Sequence, residues 1–284
     1  MAFRHLPAFM AAALAAGPAL AAHEGTTGYI LSGDGATLTV MPDIATPEDV
    51  TTHSLDMALS AIAWRPVTGT LIGIADGALY LIDPMTGAMT DLDASFAEDA
   101  MISGGAMTGL DFNNAIDAVR AVSSAGENLV YFPEGFGDAD ERAGSVLRFT
   151  DLAYAEGDAN AGADPMIFAN AYSNAISGMK ASETAQYALD AGTDALVTLA
   201  NNAGTLATIG PVTLDGTALD LSGMGGFDIV SPEEGTNRAF AVLQAEGADS
   251  AGLYLIDLGT GAATMLSDLG MGGVTGFAAS LGGM

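Results

Sequence analysis

The sequence lacks cysteine and contains very few basic residues. Without cysteine the chain forms no disulfides, and thiolate metal sites and thiol chemistry are excluded. Seven Lys and Arg residues stand against 35 Asp and Glu residues, which gives a formal net charge of −28. This charge repels nucleic-acid phosphates and anionic lipids, so nucleic acid is excluded as a partner. The acidic residues serve either general solubility or cation binding.

Aromatic residues are also scarce, at 7 % of the chain, whereas glycine is abundant, with 37 residues. Hydrophobic residues make up 50 % of the sequence, which is enough for a sizeable core and argues against wholesale disorder. Few aromatics and many glycines favour short strands joined by tight turns over long helices. The composition therefore predicts an all-β protein.

The sequence has no hydrophobic run of about 20 residues, the length that spans a bilayer. The N-terminus has a weakly positive end at Arg4 and His5, an apolar run from Leu6 to Ala16, and a small-x-small cleavage site at Ala19–Ala21. This pattern is typical of a secretory signal peptide. We therefore predict a leader over residues 1–21, one mature domain over residues 22–284, and a periplasmic or secreted protein that is not inserted in the membrane after cleavage.

A strand–turn–strand pattern recurs along the chain. Each full copy has a short apolar strand, an Asp whose side chain can bond the backbone two residues on, and a Gly or Asp where positive φ is tolerated. Treated as equivalent, the copies lie at Leu79–Ala88, Leu253–Ala262 and Gln186–Ala195, with degenerate copies at Leu129–Pro133 and Leu38–Pro42. Repeats of this kind at a period of about 40–50 residues are typical of propeller blades.

A second motif of four residues precedes most of these strands. It consists of a small residue, an apolar residue, Asp or Ala, and a second apolar residue. It occurs at Ala61–Trp64, Gly109–Phe112, Gly226–Ile229 and Gly276–Ala279. A small residue that opens a strand is expected where strands line a crowded centre. The two motifs, with a further strand between them, predict four-stranded blades.

The two chain ends complete the predicted ring. Val274–Ser280 is an inner-strand copy with nothing after it, whereas Tyr29–Met41 has later strands but no inner strand. Joining them closes a β-propeller of about five blades by its N- and C-terminal strands and removes exposed sheet edges. Six blades, or a β-sandwich or β-solenoid, are the alternatives.

The segments Gly109–Asn113, Val119–Ser123 and Gly126–Leu129 resemble an uncharacterised exported bacterial family that reads G-x-D-F-N-P, R-V-V-S and G-Q-N-L-R. Later motifs continue the match in order over nearly all of the mature chain. The resemblance implies a secreted, repeat-built β fold and a domain of unknown function, and it gives no catalytic residues to carry over to this chain. The chain departs from the family pattern at Ala63, where the first unit has Asp, and at Asn114, where the second has Pro.

Two groups of polar residues are candidate binding sites. Asp111, Asn113 and Asp228 could line the central channel and hold a cation or another ligand, although each Asp could instead bond backbone amides at the inner edge of its blade. Asp158, Asn160 and Asp164 place oxygen atoms at spacings that resemble a calcium loop, although an ordinary solvated loop has the same composition.

No pattern in the sequence selects catalytic residues. The predicted function is an exported, non-catalytic binding or scaffold module for an unidentified extracellular or periplasmic ligand or protein. The alternative is a cation-dependent hydrolase or lyase that acts on an extracellular carbohydrate-like substrate. Calcium is the one cofactor that the acidic residues suggest.

Overall fold

The computed structural model describes residues 23, 25–75 and 77–282. Their strands form five sheets around a central axis, a five-bladed β-propeller. The predicted leader lies outside the described residues. The helix found in the described part is one 3-10 turn, Asn201–Ala203, and no described helix is long and apolar enough to cross a membrane.

The strands follow the blades in chain order. Blade 1 begins with β1 (Thr26–Ser32), β2 (Thr37–Met41) and β3 (Thr51–Ser54). Blade 2 consists of β4 (Ala61–Arg65), β5 (Thr70–Ala75), β6 (Ala78–Ile82) and β7 (Met89–Asp91). Blade 3 consists of β8 (Ser95–Phe96), β9 (Thr108–Asn113), β10 (Ala118–Ser123), β11 (Asn128–Phe132) and β12 (Ser145–Arg148). Blade 4 consists of β13 (Ala153–Tyr154), β14 (Ile167–Tyr172), β15 (Gln186–Asp190), β16 (Ala195–Leu199) and β17 (Thr205–Pro211). Blade 5 consists of β18 (Thr213–Leu214), β19 (Thr217–Ala218), β20 (Leu221–Glu233), β21 (Thr236–Ala245), β22 (Gly252–Ile256) and β23 (Ala262–Asp268).

The last strand, β24 (Val274–Leu281), returns to blade 1 as its innermost strand. It pairs antiparallel with β1, with Tyr29 opposite Ala278, and the blade order is β24-β1-β2-β3. The predicted five-bladed ring, closed by both ends of the chain, is therefore confirmed. Closure gives β1 an inner partner, so that β1 is not an exposed sheet edge.

The outer edges of blades 3, 4 and 5 each carry one feature that the repeats do not predict. The segment that enters each blade first adds a short parallel strand to its outer edge: β8 on β12, β13 on β17, and β18 on β23. Each short strand pairs with the fourth strand of its blade, counted from the axis, and covers the edge of that strand. Strands of two residues have no sequence pattern of their own, so they escape detection.

One predicted equivalence is wrong. The strands at Leu38, Leu79, Leu129 and Leu253 are the third of their blades, but the Gln186 strand, β15, is the second strand of blade 4. The cause is turn chemistry. Asp190 accepts a hydrogen bond from the backbone amide two residues further along, that of Gly192. Asp83 and Asp257 each accept the same kind of hydrogen bond in the turns that follow third strands. The same Asx turn is used at a different place in the blade.

The core lies between neighbouring blades. Apolar side chains of each blade pack against those of the next around the ring, in clusters such as Phe227 with Ala169 and Leu189, or Phe277 with Ile30 and Phe240. Tyr29 of blade 1 stacks on Trp64 of blade 2, with ring centroids 5.3 Å apart and planes 8° from parallel. The single tryptophan therefore joins two blades.

Candidate functional site

The innermost strands, β24, β4, β9, β14 and β20, run side by side in the same direction around the axis. Gly109 lies against Asn170, and two residues further along, Asp111 bonds to Tyr172. We call the side of the propeller where these strands begin the start face, and the side where they end the end face.

The strands approach so closely that small residues are required at the first position of the inner-strand motif. A Cβ added to Gly226 would lie 2.2 Å from the backbone nitrogen of Phe277, and one added to Gly109 would lie 2.8 Å from Ala169 Cα. The remaining axial cavity measures about 10 Å³. A space of that size holds about one water molecule, so the axis admits no larger ligand.

Asp111 and Asp228 are buried and bond to the backbone of the next blade. The Tyr172 amide donates to Asp111 Oδ2 at 2.5 Å, and the Ala279 amide donates to Asp228 Oδ2 at 2.6 Å. The amide of Ile229 also donates to Asp228 Oδ1. Each carboxyl group therefore joins two innermost strands, the arrangement given above as the alternative to ligand binding. Their role toward a ligand stays a prediction.

Burial and mutual proximity change the protonation of these two carboxyl groups. Burial raises the pKa of Asp228 to about 7. Burial, and then the charge of Asp228, raise the pKa of Asp111 well above its ordinary value. The pair therefore retains a proton at neutral pH. Two buried carboxylates that both ionised would repel each other in a poorly solvated site.

Asn113 lies at the end of β9 and, like Asp111 and Asp228, is not among the described residues that line the axial cavity. Its Oδ1 accepts hydrogen bonds from Thr184 Oγ1 at 2.9 Å and from the Ala115 amide at 3.1 Å. The structure therefore brings Asp111 and Asp228 near each other but places Asn113 in a turn of the end face.

A long loop, residues 173–185, covers the end of the axis. It connects β14 to β15 and reaches the ends of the innermost strands of the other four blades. It bonds with Pro66 in blade 2, Asn114 in blade 3, Ser231 in blade 5 and Leu281 in blade 1. Asn114, where the family pattern has Pro, donates from Nδ2 to two carbonyl groups of the loop, at 2.8 and 3.1 Å. Among the described residues, this loop therefore covers the axis at the end face.

The predicted calcium residues lie in the loop before β14, but only two of them act together. Asp158 accepts hydrogen bonds from the amide and hydroxyl of Thr208 on β17, and Asn160 Nδ2 donates to the same hydroxyl. Hydrogen bonds from the amide of Asn160 and from Thr208 hold the pKa of Asp158 below its ordinary value. Asp164 is exposed. Within residues 25–75 and 77–282 no group of three His, Asp or Glu side chains is placed to hold a metal ion, and calcium binding stays a prediction.

The start face has a cleft of about 150 Å³ between blades 2 and 3. One wall is the loop of residues 100–106, and the opposite wall includes Ser60, Ile74 and Gly77. Thr108, the first residue of β9, lines both this cleft and the axial cavity. Thr108 is therefore a wall residue that the two spaces share.

A buried carboxylate fixes the wall of this cleft. Glu127 is 4 % exposed, and its Oε1 accepts hydrogen bonds from the amide and hydroxyl of Ser103. The Ser123 hydroxyl donates to Oε2. Burial acts to raise the pKa of Glu127, but the hydrogen bonds from Ser103 and Ser123 outweigh burial and hold that pKa below its ordinary value. The anionic carboxylate therefore holds the cleft loop in one arrangement.

A buried polar network that the sequence did not predict joins blades 3 and 4. Arg120 is 4 % exposed, and its guanidinium donates to the Tyr172 hydroxyl, to Asn128 Oδ1 and, at 2.7 Å, to Asn202 Oδ1. Burial raises the pKa of Tyr172 to about 12, so its hydroxyl stays neutral. Asn128 Nδ2 completes the network by donating to backbone carbonyl groups.

This network explains the residues that carry the family resemblance. Arg120 and Asn128 are the R and N of the R-V-V-S and G-Q-N-L-R patterns, and Asp111 is the D of G-x-D-F-N. Ser123 and Glu127, from the same two segments, hold the cleft loop. The motif residues therefore fix the position of blade 3 relative to blade 4 and shape the start face.

Solved structures with similar folds were found at low identity. A protein of unknown function from Bacteroides caccae is 8 % identical, with a TM-score of 0.41 over 90 % of this chain and 99 % of that chain. An auxiliary nutrient binding protein from Bacteroides thetaiotaomicron is 12 % identical, with a TM-score of 0.42 over 75 % of this chain and 55 % of that chain. The β-propeller domain of Cps50 (Swd1) from Myceliophteria thermophila is 13 % identical, with a TM-score of 0.39 over 83 % of this chain and 66 % of that chain.

These likenesses concern the fold alone. Among curated proteins, none matches the chain. A family model matches residues 38–278, well over half of the chain. The chain therefore belongs to DUF4394, a domain of unknown function.

Proposed function

We propose that this propeller is an exported, non-catalytic binding module whose ligand docks in the start-face cleft between blades 2 and 3. The observation that carries the proposal is the cleft loop held by Glu127, whose carboxylate accepts three hydrogen bonds from Ser103 and Ser123. A loop fixed before binding loses little conformational entropy when a ligand arrives. Loops on a rigid β scaffold are also the usual place for binding residues.

The lining of the cleft defines the chemical class of the ligand. The lining residues include Ser60, Ser103 and Thr108, which carry hydroxyl groups, and the apolar Ile74 and Phe96. The lining residues that the structure describes include no Lys, Arg or His, and the whole protein carries a charge of −28. An anion would be repelled, so the expected ligand is a small neutral or cationic compound with hydroxyl or amide groups.

Export is part of this proposal and rests on the sequence of the leader. N-terminal sequencing of the protein recovered from the periplasm or the medium should begin at Ala22 or His23. An intact Met1 on a soluble cytoplasmic form would contradict export.

A cleft-filling variant tests the docking site. A Cβ added to Gly104 meets no heavy atom within 4 Å, and the φ of this residue lies outside the left-handed region. Gly104→Trp should therefore fill the cleft without strain in the backbone. Met85→Trp is the matched control, because Met85 is 60 % exposed in a turn of blade 2 away from the cleft.

The assay is a thermal-shift screen with neutral monosaccharides, disaccharides, amino acids and polyamines, followed by calorimetric titration of compounds that raise Tm. We expect Gly104→Trp to weaken binding at least tenfold and Met85→Trp to leave it unchanged. Equal affinity for both variants would place the ligand elsewhere. Turnover of a disaccharide that stops on removal of divalent cations would favour the hydrolase or lyase alternative.

A further inference from the structure

Asn170 breaks the pattern of the axial ring. At the second position of the inner-strand motif, each blade presents a large residue to a small residue of the preceding blade. In blades other than the fourth these residues are apolar: Ile62, Leu110, Phe227 and Phe277. Blade 4 has Asn170 at this position, 1 % exposed and against Gly109, whose added Cβ would lie 2.7 Å from Asn170 Oδ1.

The amide of Asn170 has no partner among the described residues. Neither Oδ1 nor Nδ2 makes a hydrogen bond, and among the buried side-chain amides of the described residues Asn170 is the one with neither atom paired. Leaving a buried polar group unpaired costs about 1–3 kcal/mol, and native proteins almost always satisfy such groups with protein or water. A hydrogen-bonding partner is therefore expected in the space that the amide faces.

The chemistry of the amide restricts what that partner is. Oδ1 accepts and Nδ2 donates, so one group satisfies both only if it donates and accepts in turn. A metal cation would pair with Oδ1 and leave Nδ2 unpaired, and an anion would do the reverse. A neutral hydroxyl group, of water or of an alcohol, pairs with both.

The position of Asn170 relative to the cleft gives that hydroxyl group a route. Asn170 lines the axial cavity of about 10 Å³, which has room for one water-sized group. Thr108 lines both this cavity and the start-face cleft. On the opposite side, the loop of residues 173–185 closes the axis. Among the described residues, the cleft side is therefore the approach to Asn170 that this loop leaves uncovered.

We propose that the Asn170 amide is a hydroxyl-binding subsite on the propeller axis. A water molecule occupies it in the empty protein, and a hydroxyl group of the ligand replaces that water when the cleft is filled. The second half of the proposal rests on the proposed function, because it requires a ligand in the start-face cleft. The first half does not.

The test is a crystal structure at 1.5 Å resolution or better, from crystals grown and cooled without polyols. We expect one spherical density peak within 3.2 Å of both amide atoms of Asn170. Asn170→Leu, which introduces the residue type of Leu110 in blade 3, should fold normally and lose that peak. An empty cavity in the wild-type protein, or a peak that persists in Asn170→Leu, would overturn the subsite.

Soaking wild-type crystals in about 1 M glycerol separates the two halves of the proposal, because a group held by one or two hydrogen bonds binds weakly and needs a high concentration. Replacement of the water by a glycerol hydroxyl group supports ligand access from the cleft. Retention of the water with glycerol absent from the axis overturns the ligand half and leaves a structural water. Neither result alters the Gly104→Trp comparison, so failure of the subsite and failure of the docking site are distinguishable.

Discussion

Raising the pH should destabilise this protein through Asp228, contrary to the usual behaviour of carboxyl groups that form ion pairs. Burial raises the pKa of Asp228 from 3.8 to about 7, so the folded state binds its proton more tightly than the unfolded state. The stabilisation is complete below the unfolded pKa, decreases as the pH rises and is lost once the pH passes the folded pKa. At about 1.4 kcal/mol per pKa unit, the loss between pH 5 and pH 8 is about 3 kcal/mol.

The pH window from 5 to 8 separates this effect from the carboxyl groups with lowered pKa values, whereas Asp111, whose pKa is also raised, titrates together with Asp228 as a pair. Asp83, Asp140 and Asp158 have lowered pKa values, so their contributions are lost only at pH values below about 4. The free energy of unfolding is obtained from urea titrations at constant ionic strength, with fluorescence of the single tryptophan, Trp64, as the probe. Trp64 stacks on Tyr29 of the neighbouring blade, so its emission reports separation of the blades.

The matched variant is Asp228→Ala, because Ala278 of blade 1 holds the equivalent place in its inner strand. This substitution removes two backbone hydrogen bonds and the raised pKa together. We expect the difference in unfolding free energy between wild type and Asp228→Ala to decrease from pH 5 to pH 8. A difference that is constant or increases over this range would refute the assignment of a buried, protonated carboxyl group.

Three further predictions concern the ring and its charged groups. Arg120→Lys should lower the unfolding free energy by roughly 2 kcal/mol, because lysine cannot bond three partners in one plane. The control, Arg142→Lys in an exposed ion pair, should change the unfolding free energy by less than about 1 kcal/mol. Equal effects of the two substitutions in urea titrations would contradict the network. Deleting residues 274–284 should leave β1 without its inner partner and yield aggregated protein on size-exclusion chromatography, and a soluble truncation with unchanged Tm would contradict closure. Calcium at 1 mM should not raise Tm beyond the effect of an equal ionic strength of NaCl, whereas a rise abolished by Asp158→Ala would establish a calcium site.

The ring could be predicted from sequence because its central strands obey one packing rule. Close approach at the axis requires a small residue at Gly109, Gly226 and Gly276, and the two chain ends complement each other. The innermost strand of blade 4 does not match the motif because Asn170 stands where the other copies have a large apolar residue. Asn170, the residue that departs from the motif, is also the residue with the unpaired amide on the axis.

The candidate site was less predictable, because its partners are distant in sequence. Asp111 was identified from its repeat, but its hydrogen bond to the backbone of Tyr172 spans 61 residues. The Arg120–Asn202 contact spans 82 residues and joins two blades whose register no local pattern specifies. Glu127 had no signal beyond its place in the family motif, since its partner Ser103 belongs to the preceding loop. Local patterns therefore predict strands and turns, whereas contacts between blades require the structure.

Chemical-shift mapping of the bound ligand tests the binding proposal most directly. The probe is the compound with the largest thermal shift in the screen, titrated into uniformly ¹⁵N-labelled protein. We predict that the backbone amides of Gly104, Gly105 and Thr108 shift progressively with ligand, while those of residues 173–185 on the end face do not. Shifts confined to the end face or to the outer strands would contradict a ligand site in the start-face cleft.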